Sequence, residues 1–153
     1  MSDDVPRMLG APLHSRSEAG GSVTIWRPAP GVFVSRVVGF LDAAGARDIE
    51  TLFRKQVAED GAHIGFHDWL AMRDYDSRAR ILLTDATYQL LSKVEASHFL
   101  IQSRIVAFGV HAANLILRRL TVHSAPESFS YELSRAIARK SSRPPMAPSS
   151  ARS

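Results

Sequence analysis

From its second predicted strand onward, the sequence alternates between strand and helix patterns, and this alternation limits the folds open to the chain. The alternating, β-branched residues 22–27 and 32–38 predict two strands, and the Pro-rich turn between them predicts an antiparallel hairpin. Further strands are predicted at 63–68, 99–102 and 120–123. Strands that alternate with helices are typical of α/β units, in which helices cover a parallel sheet.

Four helices are predicted between and after these strands. Asp42 can cap the first helix, which has one apolar face and ends at Gly61. The second is predicted over about 76–94, and a short third over 110–117. Ser124 opens a capping-box pattern for the last helix. The order ββαβαβαβα predicts an α/β fold with a mixed, mostly parallel, five-stranded sheet and about four helices.

The two ends of the chain differ in composition from its middle. Residues 1–20 are rich in Ser, Gly, Pro and Asp without periodicity, and residues 139–153 are basic and rich in Pro and Ser. Such segments bury too little apolar surface to order themselves, so both are predicted to be disordered around one folded domain at 21–138. Hydrophobic residues make up 45% of the chain, which is enough for a single core.

Charge and cysteine content exclude several classes of function. Four of the 19 basic residues lie in the segment 139–153, so 15 basic residues remain against 15 acidic ones and the body is neutral. A neutral body argues against nucleic-acid binding, which needs several basic side chains on one face. The sequence has no cysteine, which excludes disulfides and thiolate chemistry and favours a cytoplasmic location. It has no secretory signal pattern and no apolar run near the roughly 20 residues that span a bilayer.

A distinctive run of residues connects the third predicted strand to the second predicted helix. Asp68 ends the strand, Trp69 follows it, and Asp76, Ser77 and Arg78 stand where the helix begins. Together with the element order, this run resembles the STAS domain, the fold of anti-sigma-factor antagonists and of the cytoplasmic tails of sulfate transporters. It is also similar to a group of uncharacterised bacterial STAS-like proteins that carry an Asp-Trp…Tyr-Asp-Ser…Arg run at this place.

The departure from the STAS pattern concerns phosphorylation. In the antagonists this helix opens with Asp-Ser-Ser-Gly, and a partner kinase modifies the second Ser. Here Arg78 occupies the position of that Ser and Ala79 that of the Gly, whereas Ser77 matches the first Ser. The resemblance therefore implies a regulatory or protein-interaction module that lacks the usual phosphoacceptor, is not an enzyme and needs no cofactor.

The segment 68–78 is the candidate interaction surface. Helix N-termini expose free N–H groups, and ligands or partners bind where parallel strands end. The residues expected to contact an unidentified protein partner are Asp68, Trp69, Asp74, Tyr75, Asp76, Ser77 and Arg78. Alternatively, Asp74 and Asp76 only cap the helix, Arg73 and Arg78 pair with them, and Trp69 only anchors the loop. The first predicted strand is also expected at a sheet edge, where a homodimer can form.

Other functions have weaker support. The apolar residues at 81–94 and 110–117 are compatible with a small-molecule or lipid-binding domain of the same broad fold, which requires a cavity of about 300 Å³ or more. Catalysis is not favoured, because the sequence has neither a Gly-x-Ser-x-Gly elbow nor a Gly-rich phosphate loop. No metal site is expected, since His63 and His67 would lie about 13 Å apart on a strand. No spacing implies a shared site for His98, His111 and His123.

Overall fold

The structure is a computed structural model that describes residues 8–142. The strands are β1 (His14–Glu18), β2 (Gly21–Ala29), β3 (Val32–Leu41), β4 (His63–Trp69), β5 (Met72–Tyr75), β6 (Val94–Ile101) and β7 (Leu120–His123). The helices are α1 (Ala43–Asp60), α2 (Ser77–Gln89), α3 (Arg104–Leu117) and α4 (Pro126–Ser141). A 3₁₀ turn at Leu91–Lys93 connects α2 to β6.

One mixed sheet contains these seven strands in the order β1-β2-β3-β4-β6-β7, and β5 pairs with β3 beyond the end of β4. The pairings β1–β2 and β2–β3 are antiparallel, and the remaining pairings are parallel. The predicted α/β class is confirmed. The prediction of a mostly parallel, five-stranded sheet is corrected, because β1 extends the antiparallel part and β5 adds a short strand.

The sheet separates two hydrophobic cores, because side chains alternate along each strand. Phe33 and Val37 of β3 face a core that α1, α2 and α3 cover. Val32 and Val34 face the opposite core, which α4 closes with Phe129 and other apolar residues. The described residues therefore form three layers, with helices on both faces of the sheet.

The first helix has the ends that the sequence predicts, whereas the last does not. The carboxylate of Asp42 accepts a hydrogen bond of 2.7 Å from the backbone N–H of Gly45, and Gly61 ends α1 with φ at 78°. The predicted capping box at Ser124 is wrong. The residue before α4 is Ala125, which makes no side-chain cap bond, and Pro126 opens the helix.

The middle of the chain also differs from the prediction. The second helix ends at Gln89 rather than near residue 94, because the chain already enters β6 at Val94. The third helix begins at Arg104, well before residue 110, because Ser103 caps it by accepting from the backbone N–H of Val106. No helix in the described range is long and apolar enough to cross a membrane.

Both ends of the predicted domain extend further than expected. At the N-terminal end, β1 pairs with β2, so the strand expected at a sheet edge is an inner strand, and Leu9 is buried. At the C-terminal end, α4 continues to Ser141, and the Nζ atom of buried Lys140 lies 2.7 Å from the carboxylate of Glu95. The rest of the predicted disorder, at 1–7 and 143–153, lies outside the described residues.

Candidate functional site

The candidate site lies where β3 and β4 end and α2 begins. The backbone N–H of Asp76 donates to the carbonyl of Leu41, the last residue of β3, at 2.9 Å. On the other side of β5, the hydroxyl of Ser103 donates to the carbonyl of Arg73 at 3.1 Å. These two bonds tie the segment before α2 to β3 and to the start of α3. The N-terminus of α2 therefore has a defined position at the carboxyl ends of the parallel strands.

Asp76 caps α2 and also forms an ion pair with Arg78. Its carboxylate accepts from the backbone N–H of Arg78 at 2.9 Å, and an Nη atom of Arg78 lies 2.9 Å from its second oxygen. The bond to the Arg78 side chain is the main reason that the pKa of Asp76 is lowered and that of Arg78 raised. Because the Arg78 side chain is 78% exposed, the pair presents an oriented positive group to solvent.

The exposed part of the segment carries charges of both signs. Arg73, Asp74, Ser77 and Arg78 are all exposed. The carboxylate of Asp74 accepts from the backbone N–H of Tyr75 at 2.8 Å, which orders this side chain. These four residues, with two arginines, one carboxylate and one hydroxyl around the start of α2, are named the docking patch, because they are the exposed charged and hydroxyl residues of the segment expected to contact a partner.

Tyr75 connects this patch to α3. Its ring packs against the core under α1, α2 and α3, and it is only half-exposed. Its hydroxyl lies so close to Gly109 of α3 that a Cβ atom at Gly109 would be 2.4 Å away. Tyr75 therefore packs β5 against α3.

Asp68 and Trp69 lie inside the protein, which corrects the expectation that they contact a partner. Asp68 is 5% exposed and accepts from the Nε atom of Arg36 at 3.0 Å. Trp69 is 7% exposed, and its indole N–H donates to the hydroxyl of Ser35 at 3.2 Å. Both residues are buried because β4 continues through Trp69 between β3 and β6. Their side chains therefore pack within the strand that leads into the site.

A cavity of about 90 Å³ lies between the sheet and the helices α1, α2 and α3. Its wall is mostly apolar and includes Phe33, Trp69 and Phe99, with His67 among its few polar groups. The Nδ1 atom of His67 lies 2.7 Å from the hydroxyl of Ser35. Burial, with a smaller contribution from His98, lowers the pKa of His67 to about 3, so the ring is neutral at physiological pH.

A chain of hydrogen bonds between histidines was missed by the sequence reasoning. The Nδ1 atom of His98 lies 2.9 Å from Nε2 of His123, whose Nδ1 lies 2.9 Å from the hydroxyl of Ser128. Burial is the main cause that lowers the pKa of both histidines. Sequence spacing gives no signal for this chain, because it depends on the pairing of β6 with β7. Among the described residues, no cluster of three or more His, Cys, Asp or Glu side chains is placed to bind a metal.

The element order, the three layers and the start of α2 at the sheet edge define the chain as a protein with a STAS-like fold. The sequence matches no family model and no curated protein. Solved structures, in contrast, include clear matches to its fold.

Three solved structures illustrate this likeness. One is an uncharacterised protein of the DUF3478 family with a SpoIIAA-like fold from Shewanella loihica PV-4, with a TM-score of 0.58 and 12% identity over 78% of this chain and 98% of that one. The anti-sigma factor antagonist SpoIIAA in its unphosphorylated form has a TM-score of 0.57 and 13% identity over 73% of this chain and 96% of its own. An anti-sigma factor antagonist from Mycobacterium paratuberculosis has a TM-score of 0.55 and 16% identity over 78% and 99%. At these identities the likeness establishes the fold.

Proposed function

We propose that this protein is a non-catalytic STAS-like regulatory module that binds a protein partner through the docking patch Arg73, Asp74, Ser77 and Arg78. The proposal narrows the candidate segment 68–78 to its exposed charged and hydroxyl residues. Asp76 and Tyr75 act as positioning residues in it, since one caps α2 and the other packs against α3.

The ion pair of Asp76 with Arg78 is the observation that carries the proposal. An exposed guanidinium at a helix N-terminus is unfavourable for the helix dipole, so it does not serve the stability of α2 by itself. Asp76 nevertheless holds this guanidinium in one orientation, with two donors on its carboxylate. A pre-oriented arginine suits the recognition of a carboxylate or another planar anion on a partner.

The chemistry at the start of α2 supports constitutive rather than phosphorylation-controlled docking. A phosphate at a helix N-terminus would bring negative charge that changes with modification. Arg78 stands at the matching position and has a permanent positive charge. The patch is therefore expected to favour an acidic partner surface, and to do so without a kinase.

The similar structures support a protein as the partner. Two of the three are described as anti-sigma factor antagonists, a name that implies a protein as the target. We accordingly propose that the partner is a bacterial regulatory protein of the cytoplasm with an acidic surface. The same likeness supports a function without catalysis.

Affinity purification from the native cells, read by mass spectrometry, tests the proposal. The wild-type chain, Arg78→Ala and the control Arg135→Ala would be compared, because Arg135 is an exposed arginine on α4, on the opposite face of the sheet. We expect a specific partner that is lost with Arg78→Ala and retained with Arg135→Ala, and no phosphate on Ser77. A partner retained equally by both variants would contradict docking at this patch.

A ligand-binding function is the second candidate, and the cavity beneath α2 and α3 is the observation in its favour. The cavity volume of about 90 Å³ is well below the roughly 300 Å³ at which ligand pockets begin. A lipid or metabolite would therefore need more room than this cavity has. Native mass spectrometry of the purified protein tests this candidate, and a co-purified small molecule would favour it over partner docking.

A further inference from the structure

The solvent face of α3 carries more exposed apolar surface than a helix of a monomeric domain requires. Phe108 is 75% exposed, Leu115 79%, Ile116 60% and Ile105 56%. The opposite face of α3 already provides the core contacts, through Val106, Gly109, Val110, Ala113 and Leu117. A helix that is apolar on all sides is normally covered on all sides, and exposed apolar patches mark interaction sites.

The exposed residues are spaced as a coiled-coil stripe. Ile105, Phe108, the partly buried Ala112 and Leu115 follow each other at intervals of three, four and three residues, which is the a/d pattern of a heptad. Such a stripe is narrow and fits between the side chains of one further helix, whereas a membrane-surface helix presents a wider apolar face. The stripe runs for about three helical turns, so a partner helix of similar length covers it.

The charges along α3 are of one sign. Residues 104–119 contain Arg104, Arg118 and Arg119 and no acidic residue. Within residues 8–142, neither Arg104 nor Arg118 forms an ion pair. Arg104 also lies in the first turn of α3, where the helix dipole disfavours a cation. These arginines therefore offer unneutralised positive charge at both ends of the stripe.

We infer that α3 is a docking surface for an amphipathic helix of a partner protein that has acidic residues flanking its apolar stripe. The apolar stripe supplies the contact area, and the arginines at its two ends select acidic flanks. The inference goes beyond the docking patch at α2, because α3 can bind its helix whether or not Arg78 has a partner.

The charge pattern also argues against the other occupants of this face. A second copy of the chain would bring arginine against arginine, since antiparallel pairing places Arg104 beside Arg118 and parallel pairing places each beside itself. Of the chain's own terminal segments, 143–153 contains arginines and no acid, so it would add like charge as well. The segment 1–7 contains Asp3 and Asp4, but its seven residues are too few to cover a stripe of three helical turns. An acidic helix is the occupant that neutralises both ends.

Binding of a designed helix to the full chain tests this inference. The probe is a fluorescein-labelled, stapled peptide as long as α3, with Leu at the a and d positions and Glu at the flanking positions. Its matched control has Lys in place of every Glu. We expect fluorescence anisotropy to show at least tenfold tighter binding of the Glu peptide, because only this peptide complements Arg104 and Arg118.

Substitutions on the protein locate the binding. Phe108→Ser and Leu115→Ser should each weaken binding of the Glu peptide at least tenfold, whereas Tyr131→Ser, at an exposed aromatic of α4, should leave it unchanged. Because these side chains are exposed, thermal melting by circular dichroism should show that all three variants fold. The double change Arg104→Glu with Arg118→Glu should reverse the preference between the two peptides.

Four results would overturn the inference. They are equal affinity for the Glu and Lys peptides, binding that survives both Phe108→Ser and Leu115→Ser, and no binding of either peptide. The fourth is evidence for a different occupant of α3. It would be either dimerisation in sedimentation velocity or binding to vesicles of phosphatidylcholine and phosphatidylglycerol, provided that Leu115→Ser abolishes it. Since Arg78 contributes to none of these measurements, they are independent of the docking patch at α2.

Discussion

At the start of α2, one carboxylate has two roles that substitution can separate. Asp76→Ala removes both the cap on the helix and the partner of Arg78, whereas Asp76→Asn keeps an oxygen that accepts from the backbone N–H. We expect the urea midpoint of unfolding to fall for Asp76→Ala and to change little for Asp76→Asn. Partner binding should weaken for both, because neither side chain has the negative charge that forms the ion pair with the guanidinium. Full binding by Asp76→Asn would show that the ion pair has no part in docking.

The neutral state of His67 predicts a stability that depends on pH. Its pKa is about 3 in the folded protein, against 6.5 as the ordinary value. Above pH 6.5 the unfolded chain binds no extra proton and the contribution is constant. Between pH 6.5 and 3 the unfolded chain is protonated at this residue while the folded protein is not. The free energy of unfolding therefore decreases by up to about 1.4 kcal/mol for each unit by which the pH is lowered.

Urea unfolding at pH 7 and pH 5 measures this dependence. His67→Gln should reduce the loss of stability between the two pH values, because glutamine does not titrate. The control His111→Gln removes an exposed histidine and should leave the loss unchanged. Part of the loss should remain in His67→Gln, since His63, His98 and His123 also have lowered pKa values. Identical pH profiles for wild type and His67→Gln would refute the account.

Individual residues of the candidate site differed in how far the sequence could predict them. Asp76 and Ser77 could be placed at a helix start, because an acidic residue before an apolar-periodic stretch is a local capping signal. The burial of Asp68 and Trp69 could not be predicted, since it depends on β3 and β6 flanking β4. The bond between His98 and His123 is equally non-local.

At the scale of elements, local signals explain which helices and strands the sequence predicts. α1 has a capping aspartate, one apolar face and a terminal glycine, and its bounds were predicted closely. α3 lacks the usual polar face, so only its C-terminal part, 110–117, was predicted as a helix. β1 has the polar sequence HSRSE, which shows no strand alternation, and it forms because β2 offers a free edge.

The contact between β5 and α3 predicts an unusual sign for a helix substitution. Replacing glycine by alanine inside a helix usually stabilises it by roughly 1 kcal/mol. At Gly109, however, the new Cβ would meet the hydroxyl of Tyr75 at 2.4 Å and its ring carbon at 2.8 Å. We expect Gly109→Ala to destabilise the protein, by about 1–3 kcal/mol for overpacking of this kind.

A double-mutant cycle checks the cause of that loss. Tyr75→Phe removes the closest atom, so adding it to Gly109→Ala should recover part of the stability measured by urea unfolding. Additive effects of the two substitutions would show that Gly109 does not act through Tyr75.

At the scale of the whole molecule, the described fold extends past the domain boundary at residue 138 that composition predicted. Lys140 is 4% exposed, and it reaches across the sheet edge to Glu95 and to the carbonyl of Ala62. A basic, Ser-rich stretch reads as a tail in the sequence, because nothing local shows that a lysine has a buried partner.

Truncation measures the energetic value of this boundary. A chain ending at Ala138 loses Arg139 and Lys140 and leaves the carboxylate of Glu95 unpaired, so it should lose about 2 kcal/mol of unfolding free energy. A chain ending at Ser142 keeps these contacts and should be the more stable of the two truncated chains in urea unfolding. Equal stability of both truncated chains would show that the Glu95 contacts are not stabilising.

Site-specific photo-crosslinking in the native cells tests the central claim, docking at the start of α2, most directly. Two variants would be compared, one with a photoreactive phenylalanine analogue in place of Ser77 and one with the analogue in place of Tyr131 of α4. Both positions are exposed. We predict one crosslinked protein partner from position 77, lost when Arg78→Ala is added, and none from position 131. The same partner from both positions, or no partner from position 77, would contradict the claim.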